Sequence, residues 1–255
     1  MTDLEIAVEA ARAAGAVLRA HPSPHATHHK GAVDLVTEVD LACERAIREV
    51  LGRRTPNVPV LGEEGGGAET ATTRWVVDPL DGTTNFVHGF PFYAVSVALE
   101  RDGEIVAGCL YEPLYDRLYT AARGQGAFRD GQPIRVTDRR TLREALVATG
   151  FGYDRHERPD HYLRPFRAVM VRSQGMRRAG AACLDLAMVA DGRLDAYYEL
   201  EVKRWDVAAG LLLVQEAGGR VSPAPGWSLD GVAGLGIVAT NPHVHDELLE
   251  VLAGA

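Results

Sequence analysis

The stretch Trp75-Val76-Val77-Asp78-Pro79-Leu80-Asp81-Gly82-Thr83-Thr84-Asn85 decides how the rest of the chain is read. An apolar run ends in two carboxylates three residues apart, followed by a glycine and two hydroxyls. Val76 and Val77 favour a strand, and Pro79, which has no N–H for a central ladder, is expected to end it. Pro79 also holds Asp78 extended, so both carboxylates are expected on a turn at the strand's end. Gly82 permits close approach of the backbone to a ligand. If Thr83 opens a helix, its unpaired N–H groups form an anion seat beside the carboxylates. Carboxylates bind hard cations and a helix start binds phosphate, so together they point to metal-assisted chemistry on a phosphate ester. The same D-P-x-D-G run is also a good turn sequence, and what surrounds it must decide between turn and site.

Upstream, Gly62-Glu63-Glu64 follows the short apolar run Val58 to Leu61 and precedes Gly65-Gly66-Gly67. Adjacent glutamates are ordinarily solvated surface. Here they end 11 residues before Trp75, next to a glycine loop, so both segments can aim carboxylates at one cation. Thr37, with Asp40 three residues later, can start a helix whose apolar face is Val39, Cys43, Ala46, Ile47 and Val50. An Asp at that position is by itself a partner for the helix dipole. Thr2-Asp3-Leu4-Glu5 has capping-box form and leads into a first amphipathic helix through Leu4, Val8, Ala11, Gly15 and Leu18. Between these helices, His21 to Lys30 contains His21, His25, His28 and His29 among prolines, without helical pairing. It reads as a solvated loop rather than a metal site.

Downstream, Tyr93, Val95, Val97 and Leu99 alternate along a strand and Asp102-Gly103 signals a hairpin. Further turns at Glu112-Pro113, Gly124-Gln125-Gly126 and Asp130-Gly131 extend an antiparallel meander from Phe92 to Val136. Tyr111, Tyr115 and Tyr119 are expected on one face of it. A helix is expected from Pro159 to Val171, another over Ala181 to Ala190, and a strand over Leu194 to Glu199. Trp205-Asp206 enters a buried helix from Val207 to Glu216, with Asp206 fitting its N-cap and Gly218-Gly219 closing it. Gly236 to Ala239 reads as a last strand, before a helix from Pro242 to Leu252.

Composition limits the rest. A chain of 255 residues with 46% apolar and 24% charged content can bury a large core as one domain or two close lobes, roughly 1–140 and 141–255. The net charge of −8 argues against a generic binder of nucleic acid or anionic membrane, while an anionic substrate stays compatible through bound dications. Cys43, Cys109 and Cys183 make neither a disulfide framework nor a zinc spacing and read as core residues. With no leader-like opening and no 18-residue apolar run, the expectation is a soluble cytoplasmic protein.

Taken together, Trp75 to Phe86 and Trp205-Asp206-Val207-Ala208-Ala209-Gly210 resemble the two signatures of the inositol monophosphatase family. Gly62-Glu63-Glu64 and Lys30 to Asp40 resemble its two N-terminal motifs, in the same order and spacing. The resemblance implies an α+β fold, the layered αβαβα sandwich of the inositol monophosphatase and fructose-1,6-bisphosphatase type, usually a homodimer. It implies a Mg²⁺-dependent, lithium-sensitive phosphatase with two or three metals per site. By the same resemblance Glu63, Asp78 and the Leu80 carbonyl would hold the first metal, with Asp78, Asp81 and Asp206 around the second; a third, weaker metal would lean on Glu63. Glu63 and Thr83 would position the attacking water, with Asp40 bonded to the Thr83 hydroxyl. Gly82 and Thr83 N–H groups would hold phosphate, and Asp81, Ala182 and Glu199 the substrate's hydroxyls, near Asp206.

Two departures stand out. Gly65 replaces the Ser or Thr that many relatives place after the second glutamate, putting the order of that loop in question. The loop from Lys30 to Asp34 is one residue shorter than in the best-known members of the family it resembles. Branches acting on histidinol phosphate or 3′-phosphoadenylates often carry Lys after D-G-T. Thr84-Asn85-Phe86-Val87-His88-Gly89 is instead similar to the inositol branch, as is Glu199 after paired tyrosines. The favoured substrate is therefore myo-inositol monophosphate, with a related sugar phosphate or bisphosphate (fructose 1,6-bisphosphate), or histidinol phosphate, as the alternative. A binding protein of transcription or ribosome-maturation machinery is the reading from a different class. The intact carboxylate set argues against a dead enzyme.

Overall fold

The computed structural model describes residues 1–21, 27–29 and 35–255, with backbone alone at 27–29 and 35–37; His25 and the loop from Lys30 to Asp34 lie outside it. Helix α1 (Asp3–Ala20) starts on its capping box: Thr2 Oγ1 accepts the Glu5 N–H at 3.2 Å, and Glu5 accepts the Thr2 N–H at 2.7 Å. A short antiparallel pair, β1 (Thr27–His29) and β2 (Leu35–Thr37), leads into α2 (Glu38–Arg54), which begins one residue after Thr37. A seven-stranded sheet follows. Its strands are β3 (Val60–Gly62), β4 (Thr73–Asp81), β5 (Ala94–Arg101), β6 (Glu104–Glu112), β7 (Arg117–Ala122), β8 (Ala127–Arg129) and β9 (Gln132–Pro133), in that spatial order. Short helix α3 (Thr83–Val87) leaves β4 before β5. From β4 onward every pairing is antiparallel, and the β5–β6 hairpin turns on Asp102 and Gly103, both at positive φ.

The second half supplies β10 (Leu146–Thr149), α4 (Pro159–Met170), β11 (Gly175–Arg177), α5 (Ala182–Ala190), β12 (Ala196–Val202), α6 (Arg204–Glu216), β13 (Arg220–Pro223), β14 (Leu235–Thr240) and α7 (His245–Ala253). Its five strands order as β11-β10-β12-β14-β13. Alternation along each strand assigns its two faces to different layers. Trp75, Val77, Val95, Val97 and Leu99 pack under α1 and α2, whereas Val76, Ala94 and Ala98 face α5 and α6. The other side of the five-stranded sheet is covered by α4 and α7, through Val147, Tyr198, Val238 and Leu248. The order is helix pair, sheet, helix pair, sheet, helix pair, which is the α+β, αβαβα layering. Helices α5 and α6 are apolar nearly all round because both their faces meet a sheet. Among the described residues no helix is long and apolar enough to cross a membrane. All three cysteines are buried and unpaired with one another.

Five sequence expectations need correction. His28 and His29, read as part of a loop, lie on β1. Pro79 does not end its strand: β4 runs on to Asp81. Neighbouring β3 stops pairing at Val77, and the ladder to β5 shifts between Asp78 and Asp81, so no N–H is required at position 79. The three tyrosines do not share a face: Tyr111 packs with α1 and α2, Tyr119 on the opposite side, and Tyr115 is exposed in the turn between β6 and β7. The turn breaks the alternation that would have aligned them. Helix α6 begins at Arg204, so Asp206 sits at its third position and not at the N-cap. The strand expected over Leu194 to Glu199 instead spans Ala196–Val202, because the chain continues through a bulge.

Candidate active site and metal centre

The shift in β4 is what builds the site. Asp78 pairs with Ser96 and Asp81 with Ala94, so three residues on β4 span two on β5. In an unbroken strand, residues three apart point to opposite faces. The extra residue is a β-bulge, and it returns Asp81 to the same face as Asp78, towards α5 and α6, while Leu80 turns into the α1–α2 core. Two carboxylates are thereby aimed across the interlayer at α6. Asp206 answers from the first turn of that helix, where its side chain accepts the Lys203 N–H at 2.7 Å. Glu63 reaches the same cleft from the end of β3, its N–H donating to the Val77 carbonyl at 3.2 Å.

Gly82 follows at φ +94°, and a Cβ there would lie 2.9 Å from the Phe92 carbonyl oxygen and 3.1 Å from Tyr93 Cβ. Only glycine fits both the dihedral and the space. It starts α3, whose first residue, Thr83, places its hydroxyl 2.9 Å from Asp40 Oδ1 and 3.1 Å from the Leu80 carbonyl. Asp40 is fully buried near the start of α2. Opposite, Asp81 accepts the Cys183 N–H at 2.6 Å, at the N-terminal turn of α5 beside Ala182.

Glu63, Asp78, Asp81, Gly82, Thr83, Ala182 and Asp206 line one cavity of about 300 Å³ together with Gly150, Arg178 and Glu199. A larger cavity of about 450 Å³, around His161 and Trp227, lies elsewhere and contains none of the acidic group. Glu199 stands on β12 just before a second bulge, which carries Glu201 at φ +65°. Its carboxylate accepts the Tyr197 hydroxyl and occupies the space beside Gly150, where a Cβ would come within 2.0 Å of it. The sequence reading missed Gly150, Arg178, Tyr197 and Asp185. A glycine directly after a strand, followed by Phe151-Gly152, was the available signal for close approach.

The electrostatics are those of unneutralised like charges. Burial, and then the facing charges of Glu63, Asp81 and Asp206, push Asp78 well above the usual carboxylate range. Burial also raises Asp206, with Glu63 and Asp81 adding to it. Asp81 is pushed up to about 6 by burial, offset in part by the Cys183 and Ala182 donors and by Arg178. Burial lifts Glu199 to about 7 against the Tyr197 hydrogen bond and the Arg178 charge. Asp185, on α5, is raised by burial and by Glu199 and Asp81. The Arg178 guanidinium, 5.6 Å over the Phe151 ring, is a cation held on the far wall.

Among the described residues, no three acidic, histidine or cysteine side chains converge closely enough to grip one ion as they stand. Asp78, Asp81 and Asp206 each have one oxygen bonded to a backbone N–H, from Leu80, Cys183 and Lys203 respectively. The donor set fits a hard dication: carboxylates and a carbonyl, without the imidazole or thiolate ligands that zinc favours.

The comparisons with known proteins agree with this geometry. The profile of the inositol monophosphatase family matches residues 2–254. The inositol-1-monophosphatase of Rhizobium meliloti is 47% identical over 226 residues, 88% of this chain and 84% of that protein. The Nus factor SuhB of Pseudomonas aeruginosa is 44% identical over 88% of this chain and 86% of its own. The crystal structure of the extragenic suppressor protein suhB from Bartonella henselae superposes with a TM-score of 0.90 at 42% identity, covering 97% of each chain. A match over almost every residue, with the carboxylates gathered on one cleft, makes this chain a member of the inositol monophosphatase family of phosphatases.

Proposed function

We propose that the cleft hydrolyses a phosphate monoester with Mg²⁺, and that its substrate is myo-inositol monophosphate. The observation that supports this most is the gathering of Glu63, Asp78, Asp81 and Asp206, from three separate segments, beside the Gly82–Thr83 turn. Such buried like charges are costly unless a cation is part of the working state. Glu63, Asp78, Asp81, the Leu80 carbonyl and Asp206 would hold two dications, with a third leaning on Glu63. When bound, they would neutralise the phosphate, acidify a water and stabilise the leaving oxygen. The chain's own groups do the rest. Gly82 and Thr83 N–H groups hold phosphate oxygens. The Thr83 hydroxyl, donating to Asp40, is oriented so that its lone pair accepts a proton of the attacking water, with Glu63 as the second acceptor. The water oxygen bonds to phosphorus, the ester P–O bond breaks in line, and the proton released ends on the products. Asp81, Ala182 and Glu199 meet the hydroxyls of the polyol.

Phosphate release from inositol 1-phosphate, fructose 1,6-bisphosphate, histidinol phosphate and 3′-phosphoadenosine 5′-phosphate, with and without Mg²⁺, tests the reading. No turnover of any of them would sink it. Glu199→Gln is expected to move the ranking of these substrates by about tenfold while leaving half-saturation by Mg²⁺ within about twofold. A change confined to the metal dependence would remove Glu199 from the substrate pocket.

The raised carboxylates also set a pH dependence. In the unfolded chain these groups titrate near ~4. In the metal-free fold Asp81 titrates at about 6, and Asp78 and Asp206 lie well above the usual range. The stability that Asp81 contributes is fully present below about pH 4 and is lost as pH rises through about 6, and that of Asp78 and Asp206 is lost in the same direction at their own raised values. Mg²⁺ competes with those protons, so its stabilising effect grows in the opposite direction. The rise in melting temperature on adding saturating Mg²⁺ is expected to be larger at about pH 8 than at about pH 5. An equal shift at both, or none, contradicts it.

A second reading is favoured by the 44% identity to a protein named Nus factor SuhB: a role in transcription beside, or instead of, catalysis. Stable association of the purified chain with RNA polymerase, undiminished in a variant without phosphatase activity, would establish it.

A further inference from the structure

Glu63 stands on a loop that has no hydroxyl at position 65, yet this loop is firmly tied. The tie comes from one side chain of α2. Glu44 is only 4% exposed, and its two oxygens accept the Glu64 N–H and the Gly65 N–H, each at 2.8 Å. Arg48, one turn along the same helix, donates to Glu44 at 2.7 Å, to the Gly66 carbonyl at 3.0 Å and to the Val60 carbonyl at 3.4 Å. Gly62 and Gly66 close the loop with reciprocal backbone bonds of 3.2 and 2.9 Å. The fit leaves no slack: a Cβ at Gly62 would lie 2.7 Å from the Glu44 carboxyl carbon, and one at Gly65 would lie 2.5 Å from Glu44 Oε1. The missing hydroxyl is therefore not a loss of order, because Arg48 and Glu44 occupy the space it vacates.

The geometry points to Glu44, seconded by Arg48, as the positioning residue that fixes the Glu63 loop in its metal-binding form. This rests on the metal-dependent reading of the cleft. Two successive N–H groups flank Glu63 on its C-terminal side and end on one buried carboxylate, while the Glu63 N–H is held by Val77, the residue before Asp78. The backbone on both sides of Glu63 is thus referenced to α2 and to β4. A carboxylate with two acceptor oxygens can satisfy both N–H groups; an amide has one acceptor and would set its NH₂ against a donor. Loosening the loop costs the site most when Glu63 must be fixed for a cation, and less once the cation is in place.

The test uses the full-length protein and Mg²⁺ as the probe, with binding measured by calorimetry without substrate and turnover measured separately. Glu44→Gln is expected to weaken Mg²⁺ binding and raise its half-saturation in the assay by about 10- to 100-fold. At saturating Mg²⁺, kcat should stay within about threefold. Arg48→Met, which keeps the stem but removes the polar contacts, is expected to weaken binding by a smaller factor, about threefold. A lowered melting temperature with unchanged Mg²⁺ affinity in both variants overturns the proposal and leaves Glu44 a purely structural residue. If Glu44→Gln does not fold, Arg48→Met alone decides on the same criterion. Failure of the wild-type chain to bind Mg²⁺ at all is a different result, and refutes the metal-dependent reading itself.

Discussion

Replacing Asp78 by asparagine is expected to lower turnover by at least about a thousandfold, roughly 4 kcal/mol of barrier, while the protein stays folded. Asp78 is the carboxylate whose pKa is raised first by burial and then by Glu63, Asp81 and Asp206 together, which places it at the centre of the acidic group. Asparagine keeps its shape, and its carbonyl oxygen can still accept the Leu80 N–H that now bonds Asp78 Oδ1 at 2.9 Å. What is lost is one negative charge and one oxygen of the proposed ligand set. The same change relieves repulsion in the metal-free protein. Asp78→Asn should therefore melt at a higher temperature than the wild type in chelator at about pH 8, and gain less from Mg²⁺. Turnover measured at saturating Mg²⁺ and melting curves with and without metal check both halves. Near-normal turnover would remove Asp78 from the proposed metal cage. A lower melting temperature in chelator would show that its charge is compensated by some other group.

The acidic residues were legible in the sequence because each sits in a short, strongly patterned segment. What the sequence could not convey is how spacing becomes facing. Asp78 and Asp81 are three apart, a spacing that an ordinary strand sends to opposite sides, and Pro79 argued for an early end to the strand. The bulge reconciles the two, and it depends on the partner strand, where Ser96 and Ala94 set the register. Asp206 was misplaced by three helical positions for a similar reason: Arg204 joins the helix because its side chain finds Glu100 on the neighbouring sheet. Local propensity carries no record of such a partner. The Glu44 tie was equally hidden, since Glu44 and Gly65 are 21 residues apart and an (i, i+4) Glu–Arg pair on a helix ordinarily reads as solvated surface. By contrast, the capping box of α1, the Asp102-Gly103 hairpin and the double-sided apolarity of α6 were legible, because the whole cause lies within a few residues.

The same contrast predicts where the fold is most vulnerable away from the cleft. Arg74 on β4, Glu100 on β5 and Arg204 at the start of α6 form a buried ion triad, with Glu100 taking Arg74 at 3.1 Å and Arg204 at 3.0 Å. All three side chains are less than a tenth exposed. Arg204 also donates its backbone N–H to Val232 at 2.7 Å and lies two residues before Asp206. The triad thus fastens the helix that brings Asp206 to the sheet that brings Asp78 and Asp81. Glu100→Gln leaves two buried guanidinium groups facing each other without a counter-charge. The expected loss is about 3–5 kcal/mol, or roughly 10 °C in melting temperature for a chain of this size. Mg²⁺ affinity should fall with it, because α6 loses the contact that sets its first turn. Replacing all three residues by apolar ones of similar volume should recover much of the stability, since the charges then need no desolvation. Melting curves of the single and triple variants check this. A shift of less than about 3 °C in Glu100→Gln would mean that water reaches the triad and that α6 is held by its apolar faces alone.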